Sequence, residues 1–231
     1  MRQAIVIGNT DGIGLALTRR LLAEGWAVTG LSRREATLEH DRYVHVASDV
    51  TAAPYRADLA RALTAAGRVD LCVYAAGVGE LLDLDDLAAQ TRAVEVNLVG
   101  AARTVEVVGP HLLAAGAGHL IGLSSLADAL ISPDAPGYAA SKAGMSTYLL
   151  SLRPVLARRG VAVSTVRFGY VDTKLARGPV RPLMISVDRA VDVLMRCIDR
   201  RPAVVSYPRR MALLIAAAAP AVRLRARLSR S

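Results

Sequence analysis

A tyrosine and a lysine stand four residues apart at Tyr138 and Lys142, one turn of a helix, so their side chains share a face. A phenol ordinarily titrates near 10 and is a poor acid or base at neutrality, but a neighbouring ammonium favours the phenolate and lowers that value. Ser125 lies thirteen residues before Tyr138, across a loop with Pro133, Pro136 and Gly137 that is long enough to fold its hydroxyl back toward the phenol. Phenol, ammonium and hydroxyl together read as a tuned acid/base with a group to hold a substrate oxygen.

A second constellation sits near the start, where Gly8-Asn9-Thr10-Asp11-Gly12-Ile13-Gly14 joins the β-branched run Ala4 to Ile7 to apolar residues at helical spacing from Ile13 to Leu22. Glycines there let the backbone turn tightly and approach a pyrophosphate, which rests on the free N–H groups of the helix start. An ordinary strand-to-helix turn would use the same glycines with no ligand; the position after the first strand favours dinucleotide binding. The next strand, Ala27 to Leu31, ends in Ser32-Arg33-Arg34, where an NAD-binding fold is expected to carry an acid for the ribose 2′-hydroxyl. Arg33 suits a 2′-phosphate instead, so NADP(H) is favoured over NAD(H); a solvated basic turn is the alternative. After a third strand, Tyr43 to Ala47, Asp49 with its neighbour Val50 is placed either to meet an adenine amine or to cap the following segment.

The remaining elements alternate in type. Tyr55 to Ala66 is helical, and Leu71 to Tyr74 is an apolar strand ending in Ala75-Ala76-Gly77, small residues against which a flat ring or ribose can lie. Asp85 to Ala115 reads as one long helix or two abutting ones, with Asn97 and Gly100, both poor interior helix formers, in its middle. His119 to Leu123 is a strand that delivers Ser124 and Ser125, and Tyr138 opens a helix to about Arg159. Ala162 to Arg167 leads into Phe168-Gly169-Tyr170-Val171-Asp172-Thr173, with Gly169 again letting backbone meet cofactor. A loop with Arg177, Pro179, Arg181 and Pro182 follows, then a helix capped by Ser186 or Asp188 and running to Arg200, then the strand Val204 to Tyr207. This order predicts an α/β protein, a Rossmann-type doubly wound parallel sheet of about seven strands with helices on both faces. Residues 1–208 are expected to form one domain, and 209–231 a basic, apolar tail.

Composition narrows the classes. Hydrophobic residues make up 53% of the 231, ample for a core. Cys72 and Cys197 lack a paired spacing, which suits a reducing compartment, and His40, His45, His111 and His119 show no ligand spacing, so no metal site is expected. Residues 1–152 hold 12 Lys/Arg against 16 Asp/Glu, a net of −4, whereas 153–231 hold 17 against 4, a net of +13. Without a reading motif or stacking aromatics this basic third does not point to nucleic acid. Met1-Arg2-Gln3 runs straight into the first strand and its glycine turn, unlike a targeting segment, so a cytoplasmic location is expected.

Taken together, these residues resemble the short-chain dehydrogenase/reductase family from the first strand to about Tyr207. The family's order is a G-x-x-x-G-x-G loop, an Asn-Asn-Ala-Gly segment, a mid-helix Asn, a Ser and Tyr-x-x-x-Lys; here it stands as Gly8/Gly12/Gly14, Tyr74-Ala75-Ala76-Gly77, Asn97, Ser125 and Tyr138/Lys142. The resemblance implies that Tyr138 exchanges a proton with a carbonyl or alcohol oxygen and that Ser125 holds that oxygen. Lys142 would lower the phenol's pKa and bind the nicotinamide ribose, Asn97 would kink its helix and hold a water in a proton relay, and Thr173 would meet the nicotinamide carboxamide. It implies a small-molecule carbonyl or alcohol substrate, and a homodimer or homotetramer built on the two long central helices. Tyr74-Ala75 in place of the asparagine pair and Phe168 in place of a proline depart from the pattern, and the first leaves that segment to be held by packing. The alternative function is a catalytically silent NADP(H)-binding sensor, which the retained Asn97, Ser125, Tyr138 and Lys142 disfavour.

Beyond the resemblance lies the tail. Arg209-Arg210, the 12 apolar residues Met211 to Val222, and Arg223, Arg225, Arg227 and Arg230 follow one another with no acid after Asp199. A terminal helix packed on the body is one reading, and peripheral docking on an anionic membrane is the other. Pro220 is expected to interrupt the helix, which favours the first.

Overall fold

The computed structural model describes residues 1–176 and 181–228, with the side chains of the last helix described as far as Val222. Arg177, Pro179 and Arg230 lie outside the described residues.

Seven parallel strands form one sheet in the order β3-β2-β1-β4-β5-β6-β7: β1 (Gln3–Ile7), β2 (Ala27–Ser32), β3 (Tyr43–Ala47), β4 (Leu71–Tyr74), β5 (Gly118–Ser125), β6 (Val161–Phe168) and β7 (Val204–Tyr207). The chain works outward from β1 to β3, then crosses back to lay β4 on the other side of β1 and proceeds to β7. Strand order therefore reverses at β1/β4, and a crevice opens at the carboxyl ends of these two strands, where doubly wound sheets take their ligands. The helices are α1 (Gly12–Ala23), α2 (Tyr55–Ala66), α3 (Ala88–Val94), α4 (Gly100–Ala115), α5 (Pro136–Ala157), α6 (Val187–Arg200) and α7 (Arg209–Leu228).

Alternation along the strands divides the core into two layers. Ile5, Ile7, Cys72, Tyr74 and Leu120 face one side, where they pack with Leu59, Val108 and Leu149 of α2, α4 and α5. Ala4, Val6, Leu71, Val73, Ile121 and Leu123 face the other, with Leu17 and Leu21 of α1 and Leu194 of α6. Burial on both faces is why β4 and β5 read as nearly unbroken apolar runs. Both cysteines are buried and unpaired, as two core positions on opposite faces of the sheet require.

Caps set the helix starts. Asp11 Oδ1 accepts from Gly12 N at 2.9 Å to open α1, and Ser186, in preference to Asp188, accepts from Arg189 N at 3.2 Å to open α6. The stretch expected to be helical from Asp85 begins at Ala88, and between α3 and α4 it widens into a π-helical turn, Glu95–Val99. The tail forms a helix that runs through Pro220 to Leu228, where an interruption was expected. One missing hydrogen bond is tolerated because Ala216 to Ala219 and Ala221, the best helix formers, flank the ring.

Candidate active site

The carboxyl ends of β5 and β4 and the first turn of α5 bring the sequence's acid/base group together. Ser125 ends β5, and its hydroxyl lies near enough to the Tyr138 phenol to pull the phenol's pKa down. Burial pushes the other way and prevails, helped by the charges of Asp128 and Tyr170, so Tyr138 titrates above the ordinary tyrosine value. The Lys142 ammonium is 3% exposed, lies 5.8 Å from the centre of the Tyr138 ring and donates to Leu123 O at 2.8 Å. Its own pKa is lowered to about 8, chiefly by burial, with Asp128 working against the shift. Desolvation of the phenol thus outweighs the hydrogen bond from Ser125.

Asn97 is fully buried inside the π-helical turn. Its Oδ1 accepts from Val78 N at 2.9 Å, and its Nδ2 donates to Val78 O at 2.8 Å and to Ser141 Oγ at 2.9 Å. Ser141 in turn donates to Tyr138 O at 2.7 Å, so the amide ties the strand-end loop to the helix that carries Tyr138 and Lys142. The π-helical turn is braced from the departure noted above: Tyr74, which stands in the segment without asparagines, donates its hydroxyl to Val96 O at 2.5 Å. Gly100 leaves room for that hydroxyl, because a Cβ there would collide with it. A side-chain hydrogen bond, and not packing alone, braces the segment.

At the first crevice wall, Gly8 (φ 87°) and Gly12 (φ 50°) take backbone conformations that suit glycine, and Ile13 and Gly14 begin the helix with N–H groups that lack a partner four residues back. Gly77 faces the same crevice; a Cβ on it would meet Asn97 Oδ1 at 3.4 Å and Lys142 Nζ at 3.5 Å. Ala75 and Ala76 lie beside Gly8, across the β4/β1 boundary, and Thr173 approaches Gly12. Val171 is buried, and Gly169 lies under Met211 of α7.

The loop's polar side chains divide. Asn9 is fully buried beneath the loop, accepts from Ser32 Oγ at 2.8 Å and donates to the Tyr43 hydroxyl, so Asn9 and Ser32 brace the turn with their side chains. Asp11 binds Arg34 at 3.0 Å and Lys174 at 2.9 Å, and these cations hold its carboxyl down at about 2. Thr10 and Arg34 line an open depression of about 240 Å³ with Leu15, Glu35, Ala36 and Thr37. Arg33 is half-exposed, 3.9 Å from Asp49 Oδ2. Asp49 caps no helix, since α2 starts only at Tyr55; its Oδ1 takes Thr51 N at 2.9 Å and Thr51 Oγ1 at 2.8 Å in a local turn beside the buried Val50.

Other site residues were invisible in the sequence. Asp128, in a 3₁₀ turn (Leu126–Ala129) after Ser125, accepts from Arg167 of β6 at 3.0 Å and from Ser146 of α5 at 2.6 Å. Ser146 reaches Ser124 at 2.7 Å, and Ser124 donates to Lys142 O at 3.1 Å, so one polar chain links β6, α5 and the end of β5. Gly79 gives the Tyr138 ring its space, a role marked in the sequence only by a second glycine two residues after Gly77.

The model of the short chain dehydrogenase family matches residues 2–181. This chain belongs to that family. Within it, the chain is 33% identical over 226 residues to an uncharacterized oxidoreductase of Myxococcus xanthus, covering 92% of this chain and 89% of the relative. It is 32% identical over 174 residues to a 2-dehydro-3-deoxy-L-rhamnonate dehydrogenase (NAD(+)) of Sphingomonas, covering 71% and 70%. A short-chain dehydrogenase from Burkholderia cenocepacia, solved in complex with NADP, superposes over 100% of both chains with a TM-score of 0.85 at 28% identity. The family's seven-strand Rossmann-like sheet is the sheet described above.

Proposed function

We propose that this short-chain dehydrogenase moves a hydride between NADP(H) and a carbonyl or secondary alcohol, with Tyr138 as the acid/base. The observation that carries the reading is the meeting of Ser125, Tyr138 and Lys142 at the carboxyl ends of β4 and β5, against the wall that Asn97 fixes. A dinucleotide fits the crevice on its own geometry: the glycine turn for the pyrophosphate, the side-chain-free surface at Gly77 beside Lys142 for the nicotinamide ribose, and Thr173 opposite Gly12. When bound, the nicotinamide supplies or takes the hydride.

The protein's own residues do the rest. Ser125 donates to the substrate oxygen and orients it toward the phenol. In reduction Tyr138 gives that oxygen a proton, which a tyrosine titrating above its ordinary value holds through neutral pH; in oxidation it takes the proton back. Lys142 holds the ribose, and its charge opposes the cost of a buried phenolate. Asn97 Oδ1 and Lys142 Nζ border the same space beside Gly77, the place for a water of the proton relay. A homodimer or homotetramer built on α4 and α5 belongs to the same reading, and Leu150 and Val155 stand exposed on α5.

Relatives differ in the cofactor they name, so residues 33 and 34 decide the preference. Arg34 is engaged by Asp11, whereas Arg33 is half-exposed and only distantly paired, which leaves its guanidinium for a 2′-phosphate. The test follows NADPH and NADH oxidation at 340 nm, a general absorbance of reduced nicotinamides, against carbonyls from small polar compounds to long-chain and polycyclic ones. Turnover with NADPH is expected, and Arg33→Ala should raise the Kd for NADPH by roughly tenfold or more while leaving NADH within about twofold. No turnover with either cofactor on any carbonyl contradicts the reaction; equal effects of Arg33→Ala on both cofactors contradict the preference.

A further inference from the structure

From Met211 to Val222 the helix α7 contains no polar side chain, yet only one of its faces meets the body. Met211, Ile215, Ala219 and Val222, at helical spacing, form the inner stripe: the Met211 sulfur sits 2.6 Å from where a Cβ on Gly169 would be, and Ala219 is buried. Leu213 and Leu214 point away from it and are 72% and 68% exposed, with Ala217, Ala218 and Ala221 exposed beside them. A packed terminal helix accounts for the inner stripe. Among the described residues it leaves the outer face without a partner.

Charge selects what covers that face. The exposed Arg209 and Arg210 precede the apolar stretch, Arg223, Arg225 and Arg227 occupy the last turns of the same helix, and no acidic side chain follows Asp199 in the sequence. A second copy of α7 laid against the first would set arginines on arginines whether the two ran parallel or antiparallel. No helix among the described residues is long and apolar enough to cross a bilayer, so α7 can only lie along one. In that plane an anionic lipid surface offers phosphates to the arginines at both ends and an apolar layer to the leucines between them.

We propose that α7 docks the protein on anionic membrane surfaces, with Leu213 and Leu214 entering the interfacial layer and the flanking arginines on lipid phosphates. The inference does not depend on the reaction proposed above. The same helix rests on the 3₁₀ turn after Ser125 and on Gly169, so docking brings the lipid surface alongside the elements that frame the crevice.

Co-sedimentation of the full chain tests it, with vesicles of equal parts phosphatidylglycerol and phosphatidylcholine against vesicles of phosphatidylcholine alone. The parent protein should pellet with the mixed vesicles, at least about tenfold less with the neutral ones, and progressively less as salt rises. Leu213→Ser combined with Leu214→Ser should weaken binding to the mixed vesicles about tenfold or more, with an unchanged circular dichroism spectrum because both side chains are exposed. The proposal is overturned if the parent stays in the supernatant, if neutral vesicles bind it equally, or if the double variant binds as the parent does. It is overturned in favour of self-pairing if sedimentation equilibrium shows an oligomer that the double variant dissolves.

Discussion

Lys142 carries a charge where charge is costly. Its ammonium is 3% exposed and its pKa is lowered to about 8, so the folded chain holds that proton less tightly than the unfolded one. A base with a depressed pKa costs stability as pH falls through the interval from its ordinary value to the folded one, and the full cost, about 3 kcal/mol, is present at pH 7. Lys142→Met removes that cost but leaves Leu123 O without its donor, worth about 1–2 kcal/mol. Urea unfolding at pH 7 should therefore show a variant about 1–2 kcal/mol more stable than the parent, with the gap closing as pH rises from about 8 and turning against the variant near the ordinary lysine value, where only the lost hydrogen bond remains. A destabilised variant would contradict the cost assigned to the buried charge. The residues of this group were legible because a phenol and an ammonium one turn apart are rare without a reason. Asp128, Val78 and Ser141 were not, since each acts through a contact with a partner distant in the chain: Asp128 with Arg167, and Val78 and Ser141 with Asn97.

The π-helical turn is the element on which the site's geometry rests. Strand positions were readable almost to the residue, because β-branched runs bounded by glycine and small residues mark buried parallel strands. A π-helical turn carries no such propensity. Only the misfit of Asn97 and Gly100 inside a helical pattern announced it, and its brace, Tyr74, is remote in sequence. Tyr74→Phe keeps the ring in the core but removes the hydrogen bond to Val96 O, and should cost about 1–2 kcal/mol in denaturant unfolding. Turnover should fall together with stability, because the loosened turn carries Asn97. An unaffected variant would show that the π-helical turn holds without the phenol. The helix across Pro220 failed to follow its sequence signal for the opposite reason: flanking alanines outweighed a local breaker.

At the scale of the molecule, the two-layer core and the strand order were implied by the alternation of element types, whereas the uneven charge found its place only when α7 was seen to have two apolar faces. One buried titratable group ties the whole fold to pH. His119 on β5 bonds Ser164 Oγ on β6 at 2.8 Å, and burial first, then Arg201 and Arg153, lower its pKa to about 4. A depressed histidine contributes its stability above its ordinary value near 6.5 and loses it as pH falls toward 4, a loss of about 3 kcal/mol. Thermal unfolding across that interval should show the decline, and His119→Asn, which can still donate to Ser164, should flatten it. An equally steep decline in the variant would assign the acid sensitivity to other groups.

The central claim is that Tyr138 transfers the proton, and Tyr138→Phe tests it most directly because the ring stays while the hydroxyl goes. Turnover should fall by about a thousandfold or more on any carbonyl the parent reduces, while NADPH titration gives a Kd within about threefold of the parent's. A variant that keeps turnover near the parent's would contradict the assignment of the acid/base.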